Sequence, residues 1–265
     1  MYSQKNEDLP LLVSVSGGKT SAFMAIYLKH RYPNRRMLFV FANTGREKEE
    51  TLLFLDRLDH EFDLNLQWIE ARVHPQKQIG TNYRKVCFET ASRNGEPFED
   101  VIQKYGLPSK LFRHCTRELK ERPIKKFATE ILGNHEVAIG IRADEKHRLR
   151  PKHGYVYPLA EMNIDKSFVN DWWSRQSFNL QLIEHEGNCD FCFLKSKRKR
   201  VMLLREGLDV EWWNTMEIKH SSMYQPFFDV RNQISISGLI ELASTSDIKL
   251  AALNDIEFDC FCKST

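Results

Sequence analysis

What the chain lacks narrows the field first. No apolar run approaches the roughly 18 residues that a membrane-spanning helix requires, so no membrane span is expected. The opening segment MYSQKNEDLP has no apolar centre of the kind a secretory signal carries, which points to a cytoplasmic protein. The formal net charge of +3 is too small to demand a nucleic-acid partner. No internal repeat and no low-complexity segment is present, which excludes a repeat architecture. What remains is 265 residues of ordinary soluble composition, 42% hydrophobic and 28% charged. That length allows one large α/β domain, or one domain with a small appendage.

Cysteine is also scarce. The six thiols are Cys87, Cys115, Cys189, Cys192, Cys260 and Cys262. In a reducing compartment, thiols clustered in this way favour metal or redox chemistry over a disulfide framework.

The N-terminal half alternates between two periodicities. LLVSVS (11–16), MLFVFA (37–42) and LNLQWIEA (64–71) read as strands, with packed helices over 20–31 and 49–58 between them. Strand and helix alternating in this way predict right-handed parallel crossovers and a doubly wound, mostly parallel sheet. Residues 72–115 break the rhythm with Gly, Pro, Asn and basic residues, and read as a functional excursion over the sheet edge. A helix over 117–132 and a strand over 135–141 resume it. Asp165 or Ser167 is placed to cap a helix running through Trp172 and Trp173. The expected division is a nucleotide-binding α/β domain over 1–183 and a mostly helical, cysteine-containing region over 184–265 packed on it.

The first strand runs into SGGKTS (16–21). A turn from a buried strand into a helix gathers backbone N–H groups and the positive helix end at one point, which suits an anion. Gly17 and Gly18 clear space for close approach; Ser16, Thr20 and Ser21 supply hydroxyls, and Lys19 supplies charge. A bare strand-to-helix turn would have the same outline. The loop is not a Walker A sequence, because Val13 stands where that motif needs its first glycine. Arg142, Lys146, Arg148 and Arg150 follow the late strand, at the end where open α/β sheets bind ligands, and Arg142 is the strongest candidate among them.

SGGKTS resembles the S-G-G-x-[DT]-S PP-loop of the adenine-nucleotide α-hydrolase-like superfamily. FANTG (41–45), the C-T-x-x-L-K-like RHCTRELKERPIKKF (113–127), the G-x-R-x-x-E-x-x-R-like IGIRADEKHR (139–148), TASRNGEPFEDVI (90–102) and NCDFCFLKSKRK (188–199) follow in order. Together they resemble the phosphoadenosine phosphosulfate (PAPS) reductase-like family, in its phage and bacterial branch. The resemblance implies that Ser16, Gly17, Gly18, Lys19, Thr20 and Ser21 hold phosphate. It places Asn43 and Thr44 near the adenosine, and Gly140, Arg142 and Glu145 along the nucleotide. Lys19, Arg142 and Glu145 are then the catalytic candidates. Thr20 stands where the usual S-G-G-x-D-S form has an acid.

Cys189 and Cys192 form a C-x-x-C pair, a spacing that suits zinc, an iron–sulfur cluster or a redox dithiol. The APS-reducing relatives bind a [4Fe–4S] cluster through two adjacent cysteines and a distant C-x-x-C. Here His114 takes the first adjacent position, leaving Cys115. The terminal DCFCK offers Cys260 and Cys262, as further ligands beside Cys115, Cys189 and Cys192 or as a nucleophile like that of the family's E-C-G-x-H tail; ligation is favoured. A [4Fe–4S] cluster is the first expectation and zinc the second. Cys87 reads as a buried structural thiol. The basic run Lys195 to Arg200 reads as a solvated helix face, or as an attractor for a polyanionic substrate.

Two enzyme readings follow from the resemblance. A sulfonucleotide reductase acts on PAPS or APS and needs a thiol donor such as a thioredoxin-like protein. An ATP-dependent thiolating enzyme needs magnesium and a nucleic-acid substrate. A nucleotide-binding regulatory or defence module without turnover is the third reading.

Overall fold

The computed structural model describes residues 8–245 apart from 77, 151 and 184. A six-stranded sheet forms the centre. Its strands are β1 (Leu11–Ser14), β2 (Met37–Asn43), β3 (Gln67–Arg72), β4 (Asn82–Val86), β5 (Glu136–Ala138) and β6 (Tyr155–Val156), in the order β4-β3-β2-β1-β5-β6. All neighbours run parallel except β4, which pairs antiparallel with β3. The expected doubly wound, mostly parallel sheet with a helical C-terminal part is thus present.

The pleat explains the layers. Leu11, Val13 and Val15 face one side of β1 and Leu12 the other, since successive side chains alternate. The first side packs on α1 (Lys19–Arg31), α2 (Glu49–Phe62) and the later helix that carries Trp173. On the other side Leu12, Val40, Ala42 and Ile69 meet Ile124, Phe127, Ala128 and Leu132. Both faces being covered, the strands read as apolar runs rather than alternating ones.

Residues 72–115 are not one loop. They hold β4, α3 (Glu96–Tyr105) and the start of α4 (His114–Thr116). β4 is an edge strand with outward Arg84 and Lys85, so it lacks an apolar signature. α3 begins after left-handed Gly95 with Pro97 in its first turn, which makes its start look like loop sequence. The expected helix over 117–132 opens instead with a π turn, Arg117–Glu121, before α5 (Arg122–Leu132). The strand expected from 64 begins at 67, because Asp63 and Asn65 both take left-handed conformations.

After β6 come α6 (Pro158–Glu161), α7 (Lys166–Ser174), α8 (Lys197–Arg205), α9 (Glu211–His220) and α10 (Ile236–Ser244). Asp165, not Ser167, caps α7, accepting from Phe168 N at 2.8 Å. The C-terminal helices share one apolar cluster with α3 and the π turn: Phe98, Val101 and Leu119 pack with Phe191, Val201, Trp213 and Leu239. The cysteine-bearing region is therefore built onto the body of the sheet domain.

The turn between β1 and α1 asks different things of its two glycines. Gly17 sits at φ +85°, and a Cβ there would lie 2.4 Å from the Thr51 methyl. Gly18 is extended, at φ −94° and ψ 156°, and a Cβ there would meet nothing nearer than Asn188 at 3.7 Å. Gly17→Ala should cost about 1–3 kcal/mol from backbone conformation alone, plus the clash. Gly18→Ala should stay within about 1 kcal/mol of the parent. Urea unfolding of both variants checks this, and equal losses would contradict it.

Candidate functional site

In this strand order the chain leaves β1 toward β2 on one side, while β5 and β6 lie on the other. The loops after β1 and β5 therefore diverge, and the crevice between them is where such sheets hold ligands. The glycine turn occupies one wall. Ser21 Oγ donates to Gly18 O at 3.0 Å and accepts from Ser16 N at 3.0 Å, and the two serine hydroxyls lie 3.1 Å apart. These bonds close the turn at the start of α1. No side chain caps that helix and its first turn holds no acid, so its positive end is unopposed by local carboxylates. Lys19 begins the helix, and burial lowers its pKa. Its carbonyl accepts from buried Trp173 Nε1 at 2.9 Å, which ties α7 to the turn.

The loop after β5 forms the other wall. A Cβ on Gly140 would lie 3.5 Å from Ser21 Cα, so this backbone runs close beside the turn. Arg142 donates to Thr20 Oγ1 at 3.1 Å and grips Asp144 through Nε and Nη2, each at 2.9 Å. Burial opposes its charge, but the Asp144 hydrogen bond and the neighbouring Glu145 outweigh that and raise its pKa. Glu145 accepts from Arg142 N at 3.3 Å and pairs with Arg148, whose side chain is nearly buried. Glu145 therefore acts here as a clamp on two arginines. Thr20, in the position of the usual acid, instead receives one of them.

Asn43 and Thr44 reach the same edge from the end of β2 but turn inward. Asn43 is fully buried and donates to Glu70 Oε1 at 2.7 Å and Ser92 O at 2.8 Å. Thr44 bonds Glu47 through both N and Oγ1, at 2.8–2.9 Å. Their side chains are thus occupied by buried partners. Burial raises the pKa of Glu47, against the opposing charge of Lys120 at 3.6 Å.

The cysteine loop lies directly on this site. Asn188 Nδ2 donates to Ser16 O, and Lys48 N donates to Asn188 O at 2.9 Å. Glu47 and Cys189 form a β-bridge, Asp190 N donates to Arg46 O at 3.0 Å, and Arg46 and Lys48 pair with Asp190 and Glu186. The sequence marks Asn188 only as the residue before the C-x-x-C pair. Glu47, Glu70 and Arg46 carried no motif at all, because their partners lie far away in the chain.

Burial raises the pKa of Cys189 well above its usual value, and neighbouring Cys192, Asp190 and Glu47 push the same way. Cys115, Cys189 and Cys192 all border the C-terminal apolar cluster. Among the described residues, however, no three His, Cys, Asp or Glu side chains converge to hold a metal ion. Cys115, Cys189 and Cys192 are included in that statement, so the expected cluster is not shown by the described residues. Cys260 and Cys262 lie outside the described residues. Cys87, expected to be buried, is exposed, with its thiol 3.2 Å from Thr90 Oγ1. Among the described residues no helix is long and apolar enough to cross a membrane.

Known proteins and one family model resemble this chain. A family model described as the phosphoadenosine phosphosulfate reductase domain matches residues 10–93. The nin region protein ORF290 of Escherichia phage lambda is 36% identical over 195 residues, covering 71% of this chain and 67% of that protein. Protein MJ0066 of Methanocaldococcus jannaschii is 27% identical over 158 residues, covering 58% of this chain and 28% of its own length. A solved PAPS reductase from Candida auris, in a phosphate complex, aligns at a TM-score of 0.42 and 15% identity, over 64% of this chain and 74% of that one. With its glycine turn inside the matched segment, the chain belongs to the phosphoadenosine phosphosulfate reductase domain family.

Proposed function

We propose that the protein is an enzyme that binds an adenine nucleotide in the crevice between the β1 and β5 loops and acts at its phosphate or sulfate end in sulfur-transfer chemistry. One observation carries the reading: Gly18 is not required by the protein's own packing, yet it opens an unopposed helix N-terminus at the switch point of the sheet. A residue left without a side chain where the fold would accept one suits a ligand that approaches the backbone closely. In this reading Ser16, Gly17, Gly18, Lys19, Thr20 and Ser21 hold the phosphates. Asn43, Thr44 and Gly140 border the nucleoside through their backbone. Lys19 and Arg142 offset charge that builds on the phosphate or sulfate oxygens as the bond to the leaving group breaks. Glu145 keeps Arg142 aimed at Thr20. The division at 183/184, with the cysteine loop closing the crevice from the C-terminal side, belongs to the same proposal.

Two reactions suit such a site. In the first, a thiolate attacks the sulfate sulfur, the S–O bond to the phosphate breaks, and adenosine phosphate leaves with that electron pair. A second thiol then attacks the enzyme sulfur, forming a disulfide and releasing sulfite. In the second, ATP activates a base oxygen as an adenylate with loss of pyrophosphate, and sulfur displaces AMP.

Incubation with PAPS or APS and dithiothreitol should release sulfite if the first holds. Incubation with ATP, magnesium and nucleic acid should release pyrophosphate and AMP if the second holds. Absence of both products while nucleotide still binds would leave a binding module and overturn the enzyme reading. Gly18→Val should abolish binding of ATP and PAPS alike in calorimetry while the protein stays folded; unchanged affinity would overturn the site.

Lys19 gives a pH test. Its pKa is lowered by burial, and a bound phosphate would raise it. Binding should therefore take up a proton in buffer near or above the depressed pKa, and affinity should fall as pH rises through it. Calorimetry in two buffers of different ionisation enthalpy measures that uptake. It should vanish in Lys19→Met, and its persistence there would contradict the role given to Lys19.

A further inference from the structure

Side chains from distant parts of the chain reach the glycine turn, and they differ in what they have left to offer. Trp173 has a single Nε1–H, and it goes to Lys19 O at 2.9 Å. Arg142 is shared among Thr20, Asp144 and Glu145. Asn188 donates from Nδ2 to Ser16 O. That carbonyl can only accept, so it fixes which end of the amide is the nitrogen. A side-chain amide carries a second N–H and a carbonyl oxygen besides. Among the described residues, nothing takes the second N–H or the Oδ1 of Asn188.

Those uncommitted groups sit where the site is open. A Cβ built on Gly18 would meet Asn188 Nδ2 at 3.7 Å and Oδ1 at 3.8 Å, with nothing nearer. The amide therefore borders the space that Gly18 leaves clear, within reach of a group seated there. Asn188 is half-buried, so its spare N–H is not walled off from a ligand. An amide donor also suits this wall chemically. It brings a directed hydrogen bond to an anion without adding charge beside Lys19 and the positive end of α1.

The cysteine loop does not need the Asn188 side chain to stay in place. Its backbone is held by Lys48 N donating to Asn188 O at 2.9 Å, by Asp190 N donating to Arg46 O at 3.0 Å, and by the bridge between Glu47 and Cys189. Lys195 Nζ donates to Cys189 O at 2.9 Å, and Lys48 and Arg46 pair with Glu186 and Asp190. Phe191 anchors the loop in the C-terminal apolar cluster. With the loop fixed by these contacts, the side-chain amide is left over for a ligand.

We infer that Asn188 is a further nucleotide-binding residue, donating its spare amide N–H to the phosphate seated on the glycine turn and so tying the cysteine loop to the bound nucleotide. The inference deepens the nucleotide reading above and rests on it. It also gives the residue before the C-x-x-C pair a task of its own. A phosphate oxygen that accepts from both the turn and Asn188 joins two walls of the crevice that are far apart in the chain.

Calorimetry and hydrogen–deuterium exchange on the full-length protein test it, with ATP and PAPS as probes. Asn188→Ala should weaken both by about ten- to 150-fold, the range for one hydrogen bond to a charged group. Asn188→Asp, which presents an oxygen in place of the donor and adds negative charge, should weaken them further. It keeps the size of the side chain and tests the same contact should Asn188→Ala not fold. Without nucleotide, exchange over residues 185–192 should be alike in the parent and Asn188→Ala. Saturating ATP should slow that exchange in the parent, and the slowing should be lost in the variant. Equal affinity in the parent and Asn188→Ala, with binding still lost in Gly18→Val, would overturn the contact and leave the nucleotide reading standing. Faster exchange in nucleotide-free Asn188→Ala would assign the amide to holding the loop and overturn it as well, as would an unslowed loop in the ATP-bound parent. A parent that binds neither ATP nor PAPS would sink the nucleotide reading and this inference with it.

Discussion

Gly17 turns the chain in the left-handed region between β1 and α1, and the carboxyl edge of the sheet is arranged around that conformation. It lets Ser21 reach back to Ser16 and Gly18, which closes the turn and sets the first N–H groups of α1 toward the crevice. Thr51 and Leu55 on α2 fill the space that a side chain at Gly17 would take. The turn is thus fixed by packing on one side and left open at Gly18 on the other. A backbone cradle gains its anion affinity from being preformed, because no ordering is then required when the ligand arrives.

The remaining parts of the site are held from outside the turn. Trp173 binds the Lys19 carbonyl, Arg142 reaches Thr20, and Asn188 reaches Ser16. These contacts come from α7, the β5 loop and the cysteine loop, so three distant parts of the chain meet on six residues. Most of the charge nearby is paired, as in Arg142 with Asp144 and Arg46 with Asp190. In the proposed reading, Lys19 and the helix end meet the anion. The cysteine loop is positioned by backbone hydrogen bonds and ion pairs.

The sheet and the glycine turn were legible because their signals are local. Buried parallel strands such as Leu11–Ser14 and Met37–Asn43 are apolar runs, and the strand–turn–helix order places SGGKTS without further information. β4 escaped notice because an edge strand with Arg84 and Lys85 outward has no alternating pattern, and α3 because Gly95 and Pro97 resemble a loop. Asn43 and Thr44 lie at the end of β2, and their inward orientation depends on Glu70 and Glu47, partners that no spacing reveals. C-x-x-C spacing names two candidate ligands, but convergence of further ones is a long-range property, and two of those expected, Cys260 and Cys262, lie outside the described residues.

The family membership fixes the general architecture, while the local chemistry departs from a simple pattern at Thr20 and His114. Thr20 stands where the family's usual form has an acid, and it receives Arg142. His114 stands where some relatives have a thiol, and its ring stacks on Tyr105. The most direct measurement is a crystal structure of the protein soaked with a non-hydrolysable adenine nucleotide. The account predicts phosphate oxygens seated on the backbone N–H groups of residues 17–21, with the Lys19 ammonium and the Arg142 guanidinium beside them. A nucleotide bound firmly elsewhere, with that turn unchanged and vacant, would contradict it.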